Sequence, residues 1–464
     1  MKHSILNLIP LSFYAFVSCM SDEGTKFYDF YHFQDRKGAE FPKLCVSTHT
    51  DIFSDEKLIK ELDMMYEANF EVARADFIWS KIEPIDDVYD NYVVGRYENF
   101  VAELRKREIE VLPLVVFGNS WASEQSKSCY QECRGDGCSY CDKFVPDADK
   151  YSDFAKFVAQ KFSPKFVEVW NEPNWIMFFN PVSPAKYYEL LKKTYEKVKS
   201  VSSDIQVIFG GLLSADVQAT REIFLKPDDF LTSYNFDSFD ALAIHPYIGK
   251  RGVSYPPTLP PENSDKAYAP LPAILSRIKD ITKEKPIWIT EIGWPTYQDG
   301  VSELAQANYL IRALFISAMM GLEVFCAYEL VDSSGSLFHP AENNFGIIRY
   351  DYSPKLSYRF LKFAGRFRNT KYQGSVKVEF PDSSSYIVFS PAFIDSSGIL
   401  YVAVWAVDSQ GNNLDKKIPV SVFVPRSKVR SIISFLGNEI PYKNNKNSIE
   451  IEIDSTPVVI ELVS

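Results

Sequence analysis

Basic runs are missing from this 464-residue chain, in which 50 Lys and Arg stand against 61 Asp and Glu, a net charge of −11 (50 minus 61). That balance gives a polyanion nothing to grip, and no nucleic-acid partner is expected. Long low-complexity tracts and internal sequence repeats are absent as well, so the chain reads as folded domains and not as a repeat array. Beyond its first residues no segment is long and apolar enough to cross a bilayer. At this length one large and one small domain is the natural division. Hydrophobic residues at 46% and charged residues at 24% describe an ordinary globular protein.

The first residues have the form of a secretion signal, 1–19, followed by a polar lead-in, 20–40. Lys2 and His3 precede an apolar stretch from Ile5 to Val17 that is too short for a membrane-spanning helix. Two readings of its end stand side by side. Cys19, after Ser18, is either the lipidated first residue of a bacterial lipoprotein or the neighbourhood of an ordinary signal cleavage. In both cases the protein is expected to be exported. It would sit at the cell surface or outer membrane, or be secreted, with membrane contact only through an anchor at Cys19.

Seven cysteines follow the logic of that compartment. Cys129, Cys133, Cys138 and Cys141 crowd into one Gly/Ser/Asp-rich stretch. Two disulfides in any of three connectivities are the expected state of an exported protein. A tetrathiolate zinc site is the rival, and free thiols the remainder. Cys45 and Cys326 lie in apolar strand-like runs and read as buried thiols.

From residue 41 onward, strand and helix patterns alternate. Leu44 to Ser47 is a first strand with His49 at its end. Leu58, Leu62, Met65 and Tyr66 then recur at helical spacing between Asp55 and Ala68. Further strands are predicted at Glu71 to Ile78, Val111 to Phe117, Phe166 to Trp170, Ile205 to Phe209, Phe239 to Ile244, Ile287 to Thr290 and Val324 to Tyr328. Helical patterns separate them, among them Tyr97 to Lys106, Val217 to Leu231 and Glu303 to Met320, and Lys355 to Phe367 comes last. This rhythm predicts an α/β fold, a (β/α)8 TIM barrel over 41–368. Short alternating strands after Lys371, beginning with Ser375 to Phe380, predict an antiparallel β-sandwich over 369–464, read as the barrel's structural companion.

Two strand ends carry the candidate chemistry. The run Phe166 to Trp170 delivers Asn171 and Glu172 and is stopped at once by Pro173, which cannot extend a ladder. The run Ile287 to Thr290 ends at Glu291, before Gly293, Trp294 and Pro295. A pair of carboxylates at the mouth of a barrel suits cleavage between sugars: one protonates the leaving oxygen, and the other attacks or stabilises an oxocarbenium-like centre. Aromatics at 15% chiefly fill the core, and a minority would stack on sugar rings.

Trp170-Asn171-Glu172-Pro173, Thr290-Glu291-Ile292-Gly293-Trp294-Pro295 and Arg74 together resemble glycoside hydrolase clan A. Asn119-Ser120-Trp121-Ala122-Ser123 after the third strand and the C-terminal sandwich are most similar to the family 39-like, cellulase-like (β/α)8 glycosidases. The resemblance covers about residues 41–366. It implies a retaining double displacement on β-glycosidic bonds of poly- or oligosaccharides, with Glu172 as acid/base and Glu291 as nucleophile, and with no metal or organic cofactor. Asn171 would bond the 2-hydroxyl, Arg74 would keep Glu291 ionised, and Tyr247 would bond the nucleophile. His245 would line the same floor, either touching substrate or standing behind the residues that do. Trp121, Trp175, Trp294 and Tyr328 would offer faces to sugar rings, Tyr328 standing where many clan members carry Trp.

Other acidic residues read as structural: Glu83 as a local pairing group, Glu168 as a partner inside the barrel, and Glu329 and Asp332 as rim residues. The Cys-rich insert and the proline-rich loop from Ile248 to Pro270 would wall off one end of a pocket or short groove. Two rival functions remain: a surface glycan-binding protein on a non-catalytic barrel, and a transglycosylase using the same residues.

Overall fold

The computed structural model describes residues 35–133, 136–213, 236–250, 256–267, 269–282, 285–334, 340–424 and 428–463. The signal segment and the helix expected from Val217 to Leu231 lie outside the described residues. Eight strands close into a barrel: β1 (Lys43–Thr48), β2 (Val72–Ile78), β3 (Glu110–Val116), β4 (Phe166–Asn171), β5 (Gln206–Leu213), β6 (Ala241–His245), β7 (Ile287–Ile292) and β8 (Val324–Ala327). Every pairing is parallel, and β8 returns to β1. Nearly all strand residues are buried, as they must be when side chains fill the inside and helices cover the outside. The outer helices start where a short polar side chain accepts the first free N–H groups. Ser54, Asp90, Asp147, Ser183 and Ser302 each do so.

Inside the barrel, Val72, Leu112, Phe166, Ile208, Ala243, Trp288 and Val324 pack with Cys45 and Cys326. The two cysteines were expected as separate buried thiols. They form a disulfide, because closure of the sheet sets Cys45 of β1 directly opposite Cys326 of β8. In the insert the bonds are Cys129–Cys141 and Cys133–Cys138, one of the three connectivities the sequence allowed. All four sulfurs are used, so no tetrathiolate remains for zinc.

After the last barrel helix (Leu356–Ala364) the chain turns to antiparallel sheet. Its strands are β9 (Lys371–Ser375), β10 (Val378–Glu379), β11 (Tyr386–Phe389), β12 (Pro391–Ile394), β13 (Leu400–Asp408), β14 (Ile418–Phe423), β15 (Lys428–Ser434), β16 (Lys443–Asn444), β17 (Ser448–Ile453) and β18 (Val458–Val463). One sheet runs β15-β18-β13-β12-β9 with β11 also on β13, and the other β10-β14-β17-β16. The single strand expected from Ser375 to Phe380 is thus divided: the chain leaves one sheet after Ser375 and joins the other at Val378.

Sandwich and barrel share one apolar core. Phe389, Phe393, Trp405 and Phe435 of the sandwich pack with Phe41, Phe315 and Phe367 of the barrel side. The helix Glu303–Met319 lies between them and is buried from Gln306 to Met319, which explains a sequence without a clear polar face. Its one buried cation, Arg312, meets Glu262 of the proline-rich loop at 3.2 Å, and the same carboxylate accepts from Trp405 Nε1 at 3.0 Å. Gly411 closes this junction with φ 84°, and a Cβ there would fall 2.2 Å from the Glu262 carbonyl oxygen.

Removing one partner of a buried pair strands the other charge. Arg312→Met should therefore cost about 3–5 kcal/mol, whereas Arg312→Met combined with Glu262→Gln should cost less. Urea unfolding midpoints of the two variants test this.

Candidate active site

The carboxyl ends of the strands gather the polar residues. Arg74 stands in β2 beside Ser47 and Leu112. Glu168 and Asn171 belong to β4, and Glu172 follows it. His245 ends β6, and Thr290 and Glu291 lie in β7. Register shifts interrupt the pairing of β5 with β6 between Phe209 and Leu212, and of β7 with β8 between Ile289 and Ile292. Such irregularities re-aim side chains. Trp170 and Glu172 have φ of 71° and 44°, a backbone region that costs about 1–3 kcal/mol per residue. Around them, Glu172 N donates to Gly211 O (3.0 Å) and Trp170 Nε1 to Phe178 O (2.9 Å). Gly211 itself is required, since a Cβ would lie 2.0 Å from His245 Nε2.

Arg74 is the hub. It donates through Nε to Glu168 Oε2 (2.6 Å), through Nη1 to Glu291 Oε1 (2.6 Å) and through Nη2 to Asn171 Oδ1 (2.8 Å). Tyr247 donates its hydroxyl to the other oxygen of Glu291 at 2.8 Å. His245 Nδ1 lies 2.8 Å from Glu172 Oε1 and 3.6 Å from Glu291 Oε2. A carboxylate oxygen of Glu172, one of Glu291 and a His245 ring nitrogen all fall within 4.8 Å of one another. The sequence-predicted pair is therefore side by side, together with Asn171, Arg74, His245 and Tyr247.

The two carboxyls differ in what surrounds them. Burial raises the Glu172 carboxyl, the bond to His245 opposes the rise, and the neighbouring Glu291 charge adds to it, leaving Glu172 above the usual range. Burial likewise leaves the Glu291 carboxyl above the usual range, although here Arg74 and Tyr247 pull directly the other way. With a cation and a phenol on Glu291 and a neutral imidazole on Glu172, the surroundings favour a shared proton on the Glu172 side.

His245 points to the same distribution. Burial lowers its imidazole, which stays neutral, and Nε2 lies 3.0 Å from Thr290 Oγ1. The Thr290 hydroxyl donates to Glu168 Oε1, so its oxygen is free to accept from Nε2–H. Nδ1 then faces Glu172 as an acceptor, and a protonated Glu172 completes the chain. Thr290 enters the sequence reading only as a strand end and the first residue of the motif around Glu291, with no role of its own, since a threonine there looks like any strand residue.

Around this floor stands a second set. His49 lies 3.0 Å from Asp76 and 3.6 Å from Glu329. Glu329, expected on the rim, is only 3% exposed, and burial pushes its carboxyl up to about 8. Asp332, also expected on the rim, is half-buried and pairs with Lys355 at 2.7 Å. Tyr328 is half-buried with its ring near those of His49 (6.1 Å) and Tyr247 (6.3 Å). Trp175 meets Phe178 edge-on, and Ile176 and Met177 beside it are exposed, an apolar shelf next to Glu172.

Two expected platforms differ. Trp294 is 0% exposed, donates to Leu259 O at 2.8 Å and packs on Tyr309, so it offers no face to a sugar. Trp121 stacks edge-on against Trp79 with Lys150 over its ring and belongs to the wall. Glu83 accepts from Trp79 Nε1 at 2.6 Å and from Asp87 N, a local structural role.

Glu172, His245 and Glu291 also have the spacing of three metal ligands. Arg74 and Tyr247 already occupy both oxygens of Glu291, and a fixed guanidinium at 2.6 Å disfavours a divalent cation there.

Comparison with known proteins places this arrangement in context. No protein-family model matches the chain. A curated β-xylosidase of Caldicellulosiruptor saccharolyticus is 25% identical over 232 residues, 48% of this chain and 44% of that protein. The matched stretch thus spans less than half the length of that relative. A family 39 glycoside hydrolase from Bacteroides cellulosilyticus WH2 superposes with a TM-score of 0.67 at 22% identity, covering 92% of this chain and 81% of the other. A family 39 enzyme from Xanthomonas axonopodis pv. citri (TM-score 0.60, 14% identity, 92% and 95%) is similar. So is a monomeric β-xylosidase from Caulobacter crescentus CB15 (0.57, 12%, 92% and 97%). The chain shares the fold of family 39 glycoside hydrolases over both the barrel and the sandwich.

The Arg74 assignment has a direct consequence. In Arg74→Met, the Glu291 carboxyl should titrate at higher pH than in the unaltered protein, because its nearest cation is gone. A 13C NMR titration of labelled glutamate carboxyls reads this, and an unmoved Glu291 signal contradicts the assignment.

Proposed function

We propose that this protein is a retaining β-glycosidase acting on poly- or oligosaccharides. The observation that carries the reading is the Glu172–Glu291 pair, with oxygens inside 4.8 Å and opposite surroundings. Retaining enzymes hold their carboxyls about 5–5.5 Å apart, whereas inverting enzymes need about 6.5–9.5 Å to admit a water. Glu291, aligned by Arg74 and Tyr247, attacks the anomeric carbon while Glu172 gives its proton to the departing oxygen. A glycosyl-Glu291 ester results. Glu172, now ionised, takes a proton from water as that water attacks the same carbon, which frees the sugar with its original configuration. Asn171, fixed by Arg74, faces the 2-hydroxyl. The named β-xylosidases among the similar proteins make β-xylosides the first substrates to try.

Export belongs to the same proposal, as a lipoprotein anchored at Cys19 or a secreted enzyme. Three disulfides among the described residues favour an oxidising compartment. The glycan-binding alternative gains nothing from the site, since both carboxylates are present and oriented. The transglycosylase alternative uses the same residues and differs only in the acceptor of the second step, so product analysis with added sugar acceptors separates it.

On an alkyl β-glycoside, Glu172→Gln should lower kcat/KM by about 10²–10⁴-fold, with a smaller loss on an activated aryl glycoside that needs no proton. Glu291→Ala should abolish turnover. The acid is active when protonated, so kcat/KM should fall as pH rises through the Glu172 pKa, and Glu172→Gln should lack that limb. Proton NMR of the first product should show the β-anomer; an α-anomer would overturn the retaining mechanism.

A further inference from the structure

The Cys-rich insert does more than cover a loop. It ends in the short turn Asp136–Lys143, which is strapped to the barrel mouth. Gly118 N, just after β3, donates to Asp142 O at 2.7 Å, and Asn180 N donates to Lys143 O at 2.9 Å. Ser80 and Tyr130 both donate to the Asp142 carboxylate, and the Cys129–Cys141 disulfide closes the stretch. A Cβ on Gly118 would sit 2.9 Å from Asp142 O, so the contact is close and specific to glycine.

This scaffold delivers Lys143 over the ring of Phe117, 2.7 Å from its centroid, with Phe178 at 5.3 Å. Among the described residues the ammonium has ring contacts but no hydrogen bond or ion pair. Two acids act on it through space, Asp76 and then Asp142. Residues two apart on a strand share a face, about 6–7 Å from one another. Asp76 therefore stands directly above Arg74, the residue bonded to Glu291, on the barrel's inner face toward the mouth. Its carboxylate is held by His49. A positive and a negative group thus border one side of the mouth, above the nucleophile, without closing on each other.

We propose that Lys143 and Asp76 clamp two neighbouring hydroxyls of the sugar ring bound over Glu291, one hydroxyl donating to Asp76 and the other accepting from Lys143. Lys143 is then a specificity-determining residue supplied by the insert. The inference rests on the glycosidase reading for the identity of the ligand. Burial holds the Lys143 amine down to about 7, as for a cation lacking a full set of partners until a ligand provides one.

The test separates this inference from the hydrolase reading by measuring binding in the Glu291→Ala background. Saturation-transfer NMR would follow methyl β-xyloside and its 3-deoxy and 4-deoxy analogues, with and without Lys143→Met, which keeps the stem on Phe117. At about pH 6, where the Lys143 amine carries its charge, the parent sugar should bind about 10–100-fold more weakly when that charged hydrogen bond is lost. The loss should disappear for the deoxy sugar that lacks the contacted hydroxyl, and Lys143→Arg should restore part of the affinity. Equal binding with and without Lys143→Met, or an equal penalty on all three sugars, would overturn the clamp. If the unaltered enzyme turns over no glycoside while the binding pattern holds, the hydrolase reading fails and the clamp stands.

Discussion

A single buried guanidinium organises the floor of the candidate site. Arg74 is 4% exposed and touches Glu168, Glu291 and Asn171, from strands on both sides of the barrel. Taking such charges out of water costs several kcal/mol per ion, and only close pairing with further hydrogen bonds offsets it. That requirement is met at Glu168, which also accepts from Gly211 N and Thr290 Oγ1. Each strand contributing a partner is thereby tied to one position and one register. The floor is rigid because its charges have no cheaper arrangement.

From that constraint the different surroundings of two chemically identical side chains follow, and with them the division of labour in the proposed mechanism. Glu291 has a cation on one oxygen and a phenol on the other, so ionisation suits it. Glu172 faces a neutral imidazole and an anionic neighbour, so protonation suits it. The His245–Thr290–Glu168 chain links the two sets, because Glu168 both terminates it and binds Arg74. In the proposed mechanism, substitutions at Glu168 or Thr290 would reach Glu172 and Glu291 through His245 and Arg74, which makes them positioning residues.

The sequence made Glu172 and Glu291 legible because punctuation surrounds them: Pro173 and Gly293 stop two apolar runs at the height where a barrel exposes its chemistry. Other features depend on contacts that no local pattern reports. Cys45 and Cys326 pair across the seam where the sheet closes, 281 residues apart. Trp294 has the composition of a sugar platform, yet the loop carbonyl of Leu259 captures its N–H and the core takes its ring. Glu329 looks like a rim residue from its place after β8. It is buried because the chain after Asn343 folds back over it, with Ile347 N donating to Glu329 O at 2.9 Å. His49 was visible only as a strand-end residue, and Asp76 only as one position inside the strand Glu71 to Ile78, since their pairing needs β1 and β2 side by side.

The sandwich completes the argument from the other side of the barrel. Glu262, Asn263 and Ser264 of the proline-rich loop bond to Trp405, Asn412 and Gln410 of the sandwich, and the same loop's Leu259 carbonyl holds Trp294. Trp294 follows the strand that carries Glu291, and Tyr247 enters that loop from β6. The second domain therefore fixes the segment on which Tyr247, the phenol partner of Glu291, and the strand end carrying Glu291 both depend. An added domain of this kind need not meet a sugar to affect the site: by bonding a long loop through Trp405, Asn412 and Gln410, beside the loop's buried ion pair with Arg312 of the barrel, it disfavours conformations in which Tyr247 would swing away from Glu291.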